Sequence, residues 1–393
     1  MSPTTSRPLP ATSSSNKERN SSKRRKSIYP SNLTPLPSAL RPHCTAKDRL
    51  ILWLPANTRT LAINSTLLDP SRIQDILIQT WADSTRESYG SGLLAFHIFC
   101  DAKGIPDFQR APAHSDLISV FIAYLAGSYS GKTISNYVCG VRAWHILHGQ
   151  VWSLNDLEID ALLLAAQRVS PATSRRKKCQ PFTVSFISAV CRHLNLNNPL
   201  DASAYSCLTS GFYSIARAGE LTIPTLTSFN LKRHIKRSNV RMERDRNNIK
   251  IIVLHVPETK TDREGEDLSF LQQTPNDPMD PWVALDNHFA VNDPPLELPL
   301  FSYHFNSSHR PLTKTKFTQR IAEAAKAAGL EPLQGHGMCI GGTLEYLMCN
   351  VSFETVKAKG RWKSDTFQLY LHKHTQILAV HMQKHPTLHE EFI

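Results

Sequence analysis

From Ser71 onward, apolar positions recur every three to four residues, the repeat of helices that bury one face. Ile73, Ile76, Leu77, Thr80 and Trp81 mark a first helix. Ser84, with Glu87 three residues later, has the form of a capping box, so a second helix is expected to begin there. That helix carries Tyr89, Leu93, Phe96, Phe99 and Cys100 on one face and stops before Gly104 and Pro106. His114-Ser115-Asp116 opens a third, with Leu117, Val120, Phe121, Tyr124 and Leu125 inward. A fourth runs from Thr133 to Leu147 with Ile134, Tyr137, Val138, Val141 and Trp144 inward, and a fifth from Asn155 to Ala166. Residues 71–167 therefore read as a compact all-α domain.

The texture changes beyond Pro181. Helices at Thr183–Leu194 and Ala202–Ala216 give way to a β-branched run, Ile249 to Val256, that ends at Pro257. Asp267 to Leu271 follows after a polar turn, so the two runs predict a hairpin with Lys260 near its tip. Helical patterns resume at Pro281–Val291, Thr315–Ala328, around Gly341–Cys349, at Ser352–Lys359 and at Asp365–His385. The expected fold is mainly α with a small β-sheet (α+β), in two domains: 71–167 and 182–385.

Residues 1–48 are rich in Ser, Pro and Thr and read as a disordered tail, 49–70 as an extended lead-in closed by Asp69-Pro70, and 386–393 as a tail. The stretch 168–181, with Arg175, Arg176, Lys177 and Lys178, reads as a basic linker, which either stays solvated or lies on phosphates. The formal net charge of the 393 residues is +12, and nine Lys and Arg against two acidic residues place more than half of it in residues 1–48. This balance favours a polyanionic partner. Lys23-Arg24-Arg25-Lys26 has the form of a nuclear localisation signal, so a nuclear location is expected.

The eight cysteines include no CxxC pair, which gives no support to a zinc ribbon or a redox motif. His381, His385 and His389 repeat at four-residue spacing, but Pro386 interrupts any helix there, so no metal is expected. No apolar run approaches the length of a membrane span.

The candidate chemistry lies in separated stretches taken together. Ser214-Ile215-Ala216-Arg217-Ala218-Gly219-Glu220-Leu221 places an arginine at the end of an apolar helix. Glu258-Thr259-Lys260-Thr261 sits in the hairpin. His336-Gly337-Met338-Cys339-Ile340-Gly341-Gly342-Thr343 is followed by Gly360-Arg361-Trp362-Lys363-Ser364-Asp365 and then by Tyr370. In this order and spacing the set resembles the tyrosine recombinase/integrase superfamily. It looks closest to the fungal, retroelement- and Crypton-like branch of DNA breaking-rejoining enzymes. The resemblance covers about residues 71–385 and includes the all-α domain, which looks like the family's core-binding domain.

The resemblance implies an activity: DNA recombination and integration by strand cleavage, in which a tyrosine attacks a phosphodiester and forms a phosphotyrosine. Arginines and a His or Trp brace the charged phosphate oxygens, and a lysine serves as general acid. Carried over, Tyr370 is the nucleophile, Arg217 the first phosphate contact, Lys260 the general acid and His336 the histidine of the family's His-x-x-Arg motif. The next position is Arg361 or Trp362, with Trp362 preferred because His or Trp is usual there. No cofactor or metal is implied. The implied partner is double-stranded DNA, clasped between the two domains, with a tetramer possible on it. Lys232, Arg233, Lys236, Arg237 and Arg361 join the linker cluster as expected DNA contacts.

One departure stands out. Cys339 occupies the position of the second arginine, and a thiol, neutral at pH 7, makes no bidentate phosphate contact. Two functional classes follow: an active recombinase, or a DNA-binding derivative of a transposable element whose cleavage site has decayed.

Overall fold

The computed structural model describes residues 33–57, 70–174, 179–259, 262, 264–273, 277 and 279–364. The chain divides into two compact units, Met1–Arg176 and Lys177–Ile393.

Helices α1 (Arg49–Leu52), α2 (Pro70–Leu77), α3 (Asp83–Ala102), α4 (Ser115–Leu125), α5 (Gly131–Leu147) and α6 (Asp156–Arg168) build the first unit. Gly92 and Gly140 let α3 and α5 approach closely. A Cβ on Gly92 would stand 2.5 Å from the Tyr137 Cα, and one on Gly140 2.4 Å from the Tyr89 carbonyl oxygen. Leu93, Phe96, Phe99, Ile134, Val141 and Trp144 fill the core between them. The caps of α5 and α6 are local: Ser130 accepts from the Thr133 N–H and Asn155 from the Glu158 N–H.

Several expectations are corrected here. Residues 33–57 are neither tail nor extended lead-in, because Leu50 and Trp53 are fully buried in this core. The Trp53 indole donates to the Pro42 carbonyl at 3.0 Å, and its own carbonyl accepts from the Trp144 indole at 2.6 Å. The second helix starts at Asp83 with Ala82 before it, so Ser84 lies inside the helix and caps nothing. Helix α4 buries Ile118, Phe121, Ile122 and Leu125, while Val120 and Tyr124 are about half exposed, so its inward face is rotated from the one expected. Ile73 and Ile76 of α2 are exposed. The first part of the supposed linker also belongs to this unit, since Ser170 accepts from the Gly131 N–H at 3.0 Å.

In the second unit α7 (Val184–Arg192), α8 (Pro199–Tyr213) and α9 (Ala218–Leu221) precede strands β1 (Val240–Arg244), β2 (Lys250–Val256) and β3 (Glu266–Leu271). The strands form one antiparallel sheet in the order β1-β2-β3, with Val256 opposite Glu266 and Ile251 opposite Leu271. Helix α10 (Pro281–Asn292), the hairpin β4 (Ser302–Phe305) and β5 (Ser308–Pro311), α11 (Lys314–Ala327), α12 (Gly337–Met348) and α13 (Phe353–Lys359) complete the described part. Helix α8 is the axis of the unit and is buried from Asp201 to Phe212. The Arg320 guanidinium grips Asp201 through two hydrogen bonds of 2.6 and 2.8 Å, tying α11 to α8. Strand β1 and the β4–β5 hairpin were not anticipated from the sequence. The helix expected at Asp365–His385 lies outside the described residues, as do residues 1–32.

Candidate active site

The site begins where α8 stops. The Ala216 N–H donates to the Gly211 carbonyl at 2.9 Å and the Ile215 N–H to that of Phe212 at 3.2 Å, the two bonds of a Schellman ending. Ile215 takes the left-handed position at φ 56°, where glycine is the usual occupant. A β-branched residue there costs on the order of 1–3 kcal/mol. Burial of its side chain in a cluster with Ile340 and Leu344 holds it. The reversal delivers Arg217 as the residue before α9, so Arg217 begins a short helix and does not end a long one. Its backbone N–H donates to Glu220 Oε2 at 2.9 Å and its Nη1 to Oε1 at 2.8 Å.

His336 immediately precedes α12. A Cβ on the neighbouring Gly335 would meet Thr318 Cγ2 at 3.2 Å and Ala218 Cβ at 3.4 Å, so this turn rests against α11 and the residue next to Arg217. Gly341 and Gly342 bring α12 onto other backbone: added Cβ atoms would stand 2.1 Å from the carbonyl oxygens of Phe182 and Phe212. Cys339 is buried, with its Sγ 3.4 Å from His336 Nδ1 and 3.3 Å from the His336 carbonyl oxygen. Burial, with the charges of Arg217 and Lys314, holds the imidazole below its ordinary pKa of 6.5. Burial also pushes the Cys339 thiol up to about 12, against the opposing pull of Arg217.

Helix α13 ends in the same way as α8. The Trp362 N–H donates to the Lys357 carbonyl at 3.2 Å and the Arg361 N–H to that of Ala358 at 3.0 Å, with Arg361 at φ 57°. The Trp362 ring folds back over Gly360, where a Cβ would meet it at 2.0 Å, and packs on the apolar cluster that contains Cys339. Arg361 turns inward. Its Nη2 donates to Glu220 Oε2 at 2.8 Å, and its Nη1 lies 3.5 Å from Glu266 Oε2 on β3. Burial would raise the Glu220 pKa, but Arg361 and Arg217 outweigh it and leave the carboxyl below its ordinary value.

Arg217, His336, Cys339, Arg361 and Trp362 thus meet through α9, α12 and the end of α13. Lys260 and Tyr370 lie outside the described residues, as do Arg175, Arg176, Lys177 and Lys178. The expected cluster Lys232-Arg233-Lys236-Arg237 is divided. Lys232 and Arg233 are exposed, Arg233 pairing with Glu258 at 3.1 Å. Lys236 pairs with Glu297 at 2.7 Å, and the Arg237 guanidinium lies 3.5 Å above the Phe289 ring. Among the described residues no group of three or more His, Cys, Asp or Glu is placed to hold a metal, and no helix is long and apolar enough to cross a membrane.

Sequence reasoning missed several residues. Glu220 stood inside the quoted motif, and its i,i+3 spacing from Arg217 was the available signal. Lys314, exposed at the start of α11, acts on His336 across a gap of 22 positions with no motif to mark it. Lys359 donates to the Ser269 carbonyl on β3 at 2.8 Å, and burial lowers its pKa to about 8.

No protein-family model matches the chain, and no curated protein sequence does. Solved structures do. The XerH site-specific recombinase, in a post-cleavage complex with palindromic difH substrate, aligns with a TM-score of 0.52 at 12% identity, over 86% of this chain and 94% of its own. The fold is that of the tyrosine recombinases. A lambda integrase dimer bound to a COC′ core site aligns with a TM-score of 0.48 at 15% identity, over 76% of this chain and 93% of its own. An FLP recombinase–Holliday junction complex aligns with a TM-score of 0.34 at 13% identity, over 77% and 78%. Of these three, XerH alone passes a TM-score of 0.5, and the fold assignment stands on it.

Proposed function

We propose that this protein binds duplex DNA through the tyrosine-recombinase fold and that its strand-cleaving centre is impaired. The observation that carries this reading is the buried thiol of Cys339, 3.4 Å from His336 Nδ1, at the place where the resemblance expects a second arginine. A phosphodiester under attack gathers charge on its non-bridging oxygens, and each missing cationic contact is costly. Arginine fingers in other phosphoryl-transfer sites contribute roughly 10³–10⁵ in rate. Arg361 does not fill the gap, because its Nη groups serve Glu220 and Glu266 and its side chain is 9% exposed. In this reading Tyr370 is the nucleophile and Lys260 the general acid. Arg217, His336 and the exposed Lys314 contact DNA phosphates, and Lys232 and Arg233 add backbone contacts further off.

Titration of the full chain with duplex DNA over a range of salt tests the binding. Affinity is expected to fall steeply with salt, since bound phosphates release counterions. Arg217→Ala and Lys314→Ala are each expected to flatten the log–log slope by about 0.9, the contribution of one phosphate contact. Binding that ignores salt, or slopes unchanged in both variants, contradicts the reading.

A further inference from the structure

Two arginines converge on Glu220. Oε1 accepts from the Arg217 guanidinium at 2.8 Å, while Oε2 accepts from the Arg217 N–H at 2.9 Å and from Arg361 Nη2 at 2.8 Å. The Glu220 and Arg361 side chains are each 9% exposed, and that of Arg217 is 33% exposed. A buried carboxylate so close to Arg217 fixes the guanidinium but also offsets its charge, and the offset is strong where water is excluded. Arg361 changes this balance, because the one carboxylate then answers to two guanidinium groups. The longer contact from Arg361 to Glu266, 3.5 Å, draws on the same cation less strongly.

Arg361 itself holds an uncomfortable position. It takes the left-handed conformation at φ 57°, where glycine is easiest, and its Nε is buried without a hydrogen-bond partner. Both features cost local stability.

We propose that Arg361 is a positioning residue: it neutralises Glu220 from the buried side, so that Glu220 holds Arg217 in place without cancelling the charge Arg217 turns toward a DNA phosphate. The inference rests on the reading of Arg217 as a phosphate contact. It also removes Arg361 from candidacy as the missing second arginine, and it links the Gly360-Arg361-Trp362 stretch to the Arg217-Ala218-Gly219-Glu220 stretch by chemistry.

A double-mutant cycle on the full chain, read by affinity for a duplex DNA, tests it. Arg361→Met leaves Glu220 to Arg217 alone and is expected to weaken binding about tenfold, the weight of one charge-assisted contact. Arg361→Lys keeps the charge but not the guanidinium fork, and is expected to bind more tightly than Arg361→Met. In a Glu220→Gln background, Arg361→Met is expected to change nothing further, since no carboxylate is left to neutralise. That comparison remains readable if Arg361→Met alone does not fold. A loss that persists in the Glu220→Gln background means that Arg361 acts through packing, and overturns the proposal. Arg217→Ala is the control: if it leaves affinity and salt slope untouched, the phosphate reading of Arg217 fails first, and the proposal with it.

Discussion

The Sγ of Cys339 lies 3.4 Å from Nδ1 of His336 and 3.3 Å from the carbonyl oxygen of the same residue. The thiol is thus turned back on its own helical turn. Pushed up to about 12 by burial, it stays protonated across the physiological range and brings no charge to the site.

Alkylation checks this directly. With native protein at about pH 8, where an ordinary thiol is partly ionised, Cys339 is expected to label far more slowly than the exposed Cys349. Peptide mass spectrometry separates the two, and denaturation is expected to make their labelling comparable. Equal labelling of the native chain would show a reactive, accessible thiolate.

The glycines at the site differ in what they tolerate. Gly342→Ala would place a Cβ 2.1 Å from the Phe212 carbonyl oxygen, whereas a Cβ on Gly219 meets nothing within 4 Å. Gly342→Ala is expected to lower stability by about 1–3 kcal/mol, and Gly219→Ala to be neutral or slightly stabilising. Thermal unfolding of the two variants reads the difference, and equal melting temperatures would mean that α12 does not sit this close to α8.

Much of the fold was legible because long amphipathic helices announce themselves. Helices α3 and α5 are long and carry apolar residues at helical spacing, and the runs of β2 and β3 are apolar enough to read as strands. The failures have physical causes. Helix α4 is apolar on most sides, Leu117 to Leu125, so its periodicity does not single out one inward face. Strand β1, Val-Arg-Met-Glu-Arg, is a short edge strand with three charged residues, and it is exposed along nearly its whole length. Residues 33–57 look like tail by composition, and their place in the core depends on Trp53 meeting Trp144, a contact across 91 positions. Within the site, Arg217, His336, Cys339, Arg361 and Trp362 were singled out as residue types in order. The sharing of Glu220 between Arg217 and Arg361 was not, since it joins positions 141 residues apart.

Acid is expected to loosen both units through buried neutral histidines. The His145 ring accepts from the Ala113 N–H at 2.9 Å and donates to the Val141 carbonyl at 2.8 Å. His288 lies between Leu300 and Asn292. Burial lowers both pKa values from 6.5 to about 4. Above pH 6.5 the rings are neutral in folded and unfolded chains alike, and their contribution to stability is complete. As pH falls from 6.5 toward 4 the unfolded chain takes up protons that the folded one refuses, so stability declines. Melting temperatures measured from about pH 7 down to about pH 4 are expected to fall through this window. A flat profile would mean that these rings are solvated.

Covalent trapping on nicked duplex DNA bears most directly on whether the cleavage centre works. The wild-type chain is expected to form no more protein–DNA adduct than Tyr370→Phe. Cys339→Arg restores the second cation beside Arg217 and His336 and is expected to raise the adduct well above that background, with the added Tyr370→Phe abolishing it again. Adduct formed by the wild type and lost in Tyr370→Phe would contradict the impaired-site reading and make the protein an active strand-cleaving recombinase.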